Sequence, residues 1–551
     1  VIINIPEALG QAIGTKFFVQ FGVSDNEWTW RGGQVLNIAK YSDTQIKKLE
    51  DALLKHEGQR GAKVGIRDIR TWRSAKTNAG GAKPRNLKGF ISLLREYLLT
   101  IPGPRVYARN EDEMWLAYYV EEIDYHSADK YRTERVTVDL VYDTIQGRYE
   151  KVVQFYKSDL IGCISDILLA RGYYVETDEL REIYLAEHER LMEILPRIGR
   201  QCFATGTGIE DLDGSNADRY WWREVNKINF VRDGESARVV VDVAFEGVEK
   251  KDAFKLNTTF WKSENEADEE DDEADEDRTP KWIEIPVHPF VPVFDLKKHL
   301  RLRTHVENLT PYVYDEEISE KLVLPNEMKS LVQMLVEHKD AGFKDIVRGK
   351  SGGAVVLLCG PPGTGKTLTA EVFAENEKRA LYSVQCSQLG VTAEDLETEL
   401  LKVFTRAKRW NAVLLLDEAD VYVHKRGQDM IQNAIVGVFL RVLEYQTTVM
   451  FLTTNRPDDV DDAVASRCLA RLTYDLPNKE EQWRIWKVLA ANMGILVDES
   501  VKRDIVQQHK LSGRDVKNLL KLAILTSKGN PKITGERVHF SMQFHPTFEK
   551  G

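Results

Sequence analysis

The sequence predicts an α/β core, a mostly parallel sheet between helices, with a C-terminal helical lid and a large α+β N-terminal domain before it. Three observations carry that expectation. From Lys321 onward, apolar runs alternate with helical segments: AVVLLC, GPPGTGKTLTAEVFAE, ALYSVQ, AEDLETELLKVFTRAKRW, AVLLLD. Such runs suit parallel strands covered by helices on both faces. A glycine-rich loop, GPPGTGKT, joins the first run to the first helix. Finally, 551 residues exceed what one hydrophobic core holds.

Taken in order, the region up to about residue 310 mixes helix and strand. TQIKKLEDALLKH and LKGFISLLREYLL are helical by spacing, and WLAYYVEEI and RVTVDLVYD read as strands. DELREIYLAEHERLMEILPRIG is an amphipathic helix ended by Pro196 and Gly199. ARVVVDVAF and KLNTTFW read as strands, and KWIEIPVHPFVPVF as another whose prolines favour an edge. Between them, ENEADEEDDEADED (264–277) holds eleven acids and no base. The net charge is −11, so the remainder is neutral (−11 + 11 = 0) and one segment sets the acidity. It reads as a disordered insertion over 263–280. After LTYDLP, three helical segments form the lid. The expected domains are 1–310, 311–476 and 477–551.

The five cysteines form no C-x-x-C pair, which argues for reduced thiols and a cytoplasmic site. No apolar run approaches the ~20 residues that cross a bilayer. The chain opens VIINIPEALG, with no signal-peptide pattern; it also lacks an initiator Met, which leaves room for a processed leader.

The chemistry begins at Gly360–Thr367, which fits G-x-x-x-x-G-K-[ST] between a strand and a helix. Glycines let the backbone wrap phosphate, and the helix N-terminus offers free N–H groups to the anion. Lys366 is placed to reach the β- and γ-phosphates and Thr367 to ligate Mg²⁺. About fifty residues on, AVLLLDEAD ends a buried strand in two acids. Asp417 is suited to hold the metal and Glu418 to activate the attacking water. Asn455 ends a further strand and can position that water. Arg467 and Arg471 follow; arginine is the residue type that stabilises transferring phosphate from a neighbouring subunit. A surface salt bridge is the alternative for each arginine.

GPPGTGKT, LLLDEAD, TTNRPDDVDDAVASR and LSGRDVKN, in this order and spacing, resemble the AAA+ ATPase family in its AAA clade, near Bcs1-like and other microbial and fungal members. The resemblance covers about residues 321–525 and implies a P-loop AAA+ core. It implies that Pro362, Gly363, Thr364, Gly365, Lys366, Thr367 and Leu368 bind ATP and that Asp417 and Glu418 form the Walker B pair. It also implies that Asn455 is sensor 1 and that Arg467 and Arg471 are fingers acting on an adjacent subunit. Asp345 and Ile346 match the adenine-pocket dipeptide. Gly513 and Arg514 fall at sensor 2, where most members of the clade carry Ala in place of Arg514. A hexameric ring is implied, since fingers supplied in trans leave a monomer incomplete.

The load is less legible than the engine. Threading members carry an aromatic–hydrophobic pair after the second strand; here only Leu389, Gly390 and Val391 stand there. A second pore-facing loop is VYVHKRGQDM, with Tyr422, His424, Lys425 and Arg426; the alternative is that these cap the helix near Gln428. Residues 60–88 hold nine Lys/Arg against one acid, with Trp72 among them, and suit either a nucleic-acid backbone or a solvated loop. Tyr220, Trp221 and Trp222 suit a core, or a peptide groove. The expected function is a ring ATPase that uses ATP and Mg²⁺ to remodel or translocate a protein partner. A nucleic-acid-associated motor and a nucleotide-switched scaffold are the alternatives.

Overall fold

The computed structural model describes residues 2–23, 33–37, 41–59, 61–77, 83–99, 105–110, 114–128, 132–210, 227–231, 234–243, 285–315, 317–318, 322–323, 334, 354–390, 392–444, 446, 448–526 and 532–545. Five expectations fall outside them: Asp345 and Ile346, the acidic insertion, the KLNTTFW strand, Val391, and the aromatic run at 220–222. The chain forms two compact units, taken separately below.

The first unit comprises Val1–Leu195, Val248–Val291 and His305–Glu307. Its main sheet is five-stranded and antiparallel, in the order Gly147–Tyr156, Arg135–Thr144, Trp115–His126, Arg105–Arg109, Tyr173–Val175. Helices Leu87–Leu99 and Ile164–Ala170 bury Phe90, Leu94 and Ile167 against Val136, Val138 and Phe155 of that sheet. Period-two alternation of Val136, Val138 and Leu140 supplies one apolar face, as a half-covered antiparallel sheet requires. A second core forms where the antiparallel pair Ile2–Pro6 and Gly33–Asn37 meets helices Asp43–Leu54 and Ala62–Thr77. Much of the basic stretch 60–88 is thus a helix rather than a loop, and Arg70 and Arg73 both pair with the largely buried Glu50.

The second unit comprises Pro196–Gly247, Pro292–Thr304 and Asn308–Gly551. Its central sheet is five-stranded and wholly parallel, ordered Leu381–Gln385, Val413–Asp417, Met450–Thr454, Val355–Cys359, Ala470–Thr473. Alternate residues of each strand feed the two faces: Leu357, Leu414 and Leu452 one core, Val356, Leu415 and Phe451 the other. The chain therefore reads as unbroken apolar runs rather than alternation. Helices Lys479–Asn492, Gly513–Thr526 and Gly535–Met542 gather around Trp486, Leu519 and Val538 as a separate helical core.

A seven-stranded sheet lies within residues 201–311, in the order Lys227–Asn229, Thr207–Glu210, Leu300–His305, Phe290–Asp295, Ala237–Val241, Gln201–Ala204, Leu309–Pro311. The Phe290–Asp295 strand, expected at an edge, is interior. Proline lacks only its N–H; the Pro292 carbonyl still accepts from Asp242 N at 3.0 Å, so the strand keeps most of its ladder. Phe294 of this strand packs on Tyr382 and Trp410, and Arg409 pairs with Asp242. Val240 and Phe294 thus share a core with the parallel sheet.

Candidate functional site

Strand Val355–Cys359 runs out of the parallel sheet into the glycine-rich loop, which opens helix Lys366–Asn376. Gly360 sits at φ +146, and a Cβ there would lie 2.2 Å from the Tyr474 carbonyl, so no side chain fits. Gly363 sits at φ +77, where a Cβ would meet Ser512 and Arg514 of the helical subdomain; Gly513 N donates to Gly363 O at 2.9 Å. The loop thus lies against the start of helix Gly513–Thr526, and backbone approach to that helix is its second reason for glycine.

Lys366 is nine-tenths buried, and its ammonium donates to Gly360 O (2.7 Å), Pro361 O (2.7 Å) and Asn455 Oδ1 (2.9 Å). Burial pulls its pKa down, while Asp417 and Asp420 nearby pull it back. One residue on, Thr367 Oγ1 donates to the Asp417 carboxylate at 3.1 Å. The parallel register explains this meeting: Val413–Asp417 and Val355–Cys359 flank Met450–Thr454, so the three strand ends open at the same edge. Switch-point edges of such sheets are where ligands bind.

The two acids take different environments. Asp417 is half-buried and receives hydroxyls from Thr367 and from Thr453 (2.6 Å). Glu418 is exposed into the cleft, with its backbone at φ +54, a left-handed conformation rare for a side-chain-bearing residue. Asp420 accepts from Thr454 Oγ1 and from Asn455 N (3.1 Å), which fixes the Asn455 loop. Asp420, Thr453 and Thr454 were not singled out by sequence. The signal was present in the rest of DEAD and in the paired threonines of LTTN, but hydroxyl direction at a strand end depends on the neighbouring strand.

A cleft of about 1160 Å³ joins these groups. Pro362, Gly363, Thr364, Gly365, Lys366, Thr367 and Leu368 line it together with Asp417, Glu418, Asn455 and Arg514. Two sets were missed by sequence: apolar Ile318, Leu322, Ile485 and Leu489, and the cations Lys517 and Lys521. With Arg514 these cations form one stripe of helix Gly513–Thr526 at helical spacing. Glu371, a turn after Thr367, also lines the cleft, and burial raises its pKa. The lining thus combines an apolar set with the backbone and cations of an anion cradle.

Arg467 and Arg471 do not line this cleft. Arg467 donates to Ala463 O (3.1 Å) and pairs with Glu444 at 2.8 Å; Arg471 donates to Pro457 O at 2.8 Å. Both are exposed.

The residues read as a grip behave otherwise. Leu389 is 1% exposed and belongs to the core around Leu396 and Leu416, so it presents nothing outward. Tyr422 is buried, stacks on Phe439 and donates to Cys386 O at 2.9 Å. Arg426 pairs with Asp461 at 3.0 Å, and Lys425 donates to the Asp458 carbonyl. The following helix runs Met430–Leu443 and is capped by Asp429, whose side chain accepts from Ile431 N and Gln432 N, so Tyr422, Lys425 and Arg426, bonded elsewhere, do not cap it either.

Residues 356–476 match the model of the ATPase family associated with various cellular activities (AAA). A 26S proteasome regulatory subunit homolog of Methanocaldococcus jannaschii is 30% identical over 171 residues, 29% of this chain and 46% of that protein. The ATP-dependent zinc metalloprotease FtsH 2 of Salinibacter ruber is 30% identical over 206 residues, 34% of this chain and 29% of its own length. Fidgetin-like protein 1 of Xenopus tropicalis is 30% identical over 181 residues, 31% of this chain and 28% of its own. The chain therefore spans less than half the length of these relatives.

Proposed function

We propose that this chain, which carries an AAA-family ATPase domain over residues 356–476, is an ATP phosphohydrolase that works as a ring on a protein partner. The observation that carries the reading is the convergence of Lys366, Thr367, Asp417, Glu418 and Asn455 on one cleft whose lining includes an apolar set.

The donor set fits magnesium–ATP. Among the described residues no group of three or more His, Cys, Asp or Glu could hold a metal alone. Mg²⁺ typically takes one or two protein oxygens and completes its shell with phosphate and water, as Thr367 and Asp417 allow. Bound there, it would neutralise charge on the β- and γ-phosphate oxygens. Lys366 and the loop N–H groups hold the phosphates. Asn455, fixed through Asp420, orients water, and Glu418 takes its proton as the water oxygen bonds to the γ-phosphorus and the bond to the ADP oxygen breaks. Arg514 reaches the γ-phosphate in cis. Arg467 and Arg471, exposed and not lining their own cleft, serve a neighbouring copy, which is the reason for a ring, hexameric by resemblance.

A protein partner is favoured by the names of the relatives, a proteasome subunit homolog and a protease. Because Leu389 and Tyr422 are buried, force on that partner comes from movement of whole domains rather than from an aromatic paddle. Among the described residues no helix is long and apolar enough to cross a membrane, and none of the five cysteines is in a disulfide. The reduced thiols suit the cytoplasmic site we propose.

The test is Glu418→Gln. Turnover should fall by about 10²- to 10⁴-fold, with ATP retained and the assembly stabilised on size-exclusion chromatography. Unchanged turnover removes Glu418 as the base. A chain that stays monomeric with ATP and hydrolyses it at full rate removes the shared site.

A further inference from the structure

The geometry points to Thr453 as a positioning residue for hydrolysis, a single hydroxyl that locks both Walker B acids in place. The inference rests on the ATPase reading above and names how its base is held.

Thr453 is the penultimate residue of strand Met450–Thr454, beside Asp417, with Leu416 paired to Leu452 one step earlier. A hydroxyl has one proton to give and two lone pairs to accept with. Here the proton and one lone pair are assigned. Asp417, as a carboxylate, can only accept, so Thr453 Oγ1 donates to its Oδ1 at 2.6 Å. A lone pair then faces Glu418 N, which donates to Thr453 Oγ1 at 2.9 Å. The Thr453 carbonyl accepts from Ala419 N at 2.8 Å, so one residue grips the chain on both sides of Glu418. The side chain is 2% exposed, so water is a poor substitute for it.

What this grip holds is a strained turn. Glu418 at φ +54 is a conformation that side-chain-bearing residues leave unless surrounding contacts hold them. The turn aims the Glu418 carboxylate into the cleft while Asp417 faces Thr367. Without the Thr453 hydroxyl, Glu418 N loses its acceptor and the turn its reason to persist. Asp417 would keep Thr367, a contact that Thr367 must share with the metal. The base would remain in the chain but drift from its angle.

Thr453→Val removes the hydroxyl and keeps shape and strand preference; Thr453→Ser restores it. Steady-state ATPase activity, ADP affinity with and without Mg²⁺, and melting temperature are measured for both. The Val variant should lose about a hundredfold in kcat, as expected for a misaligned reacting group, with metal-free ADP affinity within about threefold of wild type. Ser should recover to within about threefold. The gain in ADP affinity on adding Mg²⁺ should shrink in Val and persist in Ser, a readout that needs no turnover. Wild-type turnover in Val overturns the proposal. So does a loss shared by Val and Ser in step with melting temperature, which would mark a structural role. Should Val fail to fold, Thr453→Ala gives a second hydroxyl-free side chain for the same comparison. If wild type itself does not hydrolyse ATP, the ATPase reading fails, and the Mg²⁺-dependent ADP affinity still decides whether Thr453 orders Asp417.

Discussion

Lys366 and Asn455, 89 positions apart, are joined at 2.9 Å from the ammonium to the side-chain oxygen. The contact links the start of the phosphate-loop helix to the end of the central strand Met450–Thr454. Asn455 is held from behind by Asp420, which in turn follows Glu418 by two residues. A shift of the loop is therefore felt at Asn455 and along the segment that carries Glu418. An ammonium has three donors, and all three are engaged here, so phosphate must exchange with these acceptors. Binding and alignment become one event.

Arg467→Ala should separate stability from activity. Its pair with Glu444 leaves the two side chains 34% and 37% exposed, and such pairs contribute about 1 kcal/mol or less. Melting should barely change, while turnover should fall by roughly 10³-fold or more if the arginine serves a neighbour's phosphate. Mixing Arg467→Ala with Lys366→Ala subunits should restore part of the activity, because each repairs the other's interface. No recovery at any ratio would return Arg467 to a surface role.

Gly360→Ala should destabilise the second unit by about 3 kcal/mol or more, through overpacking and backbone strain together. The added methyl would sit 2.2 Å from the Tyr474 carbonyl, which is backbone and cannot rotate away. Gly427→Ala, where nothing lies within 4 Å, should stay within about 0.5 kcal/mol. Urea midpoints measure both. Equal midpoints would mean that the strand end at Tyr474 yields.

Acid should weaken the first unit through His288. This imidazole is buried, stacks on Tyr142 at 4.0 Å and shares a hydrogen bond with Ala117 O at 3.0 Å, in which the carbonyl accepts. Burial lowers its pKa to about 3, against the ordinary 6.5; the Ala117 bond opposes this and Lys151 adds to it. Between those values the unfolded chain binds a proton that the folded chain refuses. Stability is thus full above about pH 6.5 and falls as pH drops toward 3, by up to about 1.4 kcal/mol per unit. His288→Gln keeps an N–H for Ala117 and should flatten that slope in urea titrations at stepped pH. An unchanged slope would assign the acid sensitivity to other groups.

What the sequence determined by itself is local chemistry. Phosphate is cradled by consecutive backbone groups, so Gly360–Thr367 carries its meaning in eight adjacent letters. Buried parallel strands need unbroken apolar runs, so Val355–Cys359 and Val413–Asp417 announce themselves. Asp417 and Glu418 were legible because they end such a run. The tertiary structure decided what depends on a neighbouring strand or helix. Leu389 and Tyr422 look like a grip in one dimension, but the helices packed over them bury both. Thr453 is one more β-branched residue until strand order sets its hydroxyl between two acids. Arg467 and Arg471 were candidates for a neighbour's site from sequence, and the structure adds that neither lines its own cleft. Val240 joined the core of the parallel sheet, and Asp242 paired with Arg409, 167 positions along the chain. Burial and register are set by pairs distant along the chain, and a single sequence carries no measure of those distances.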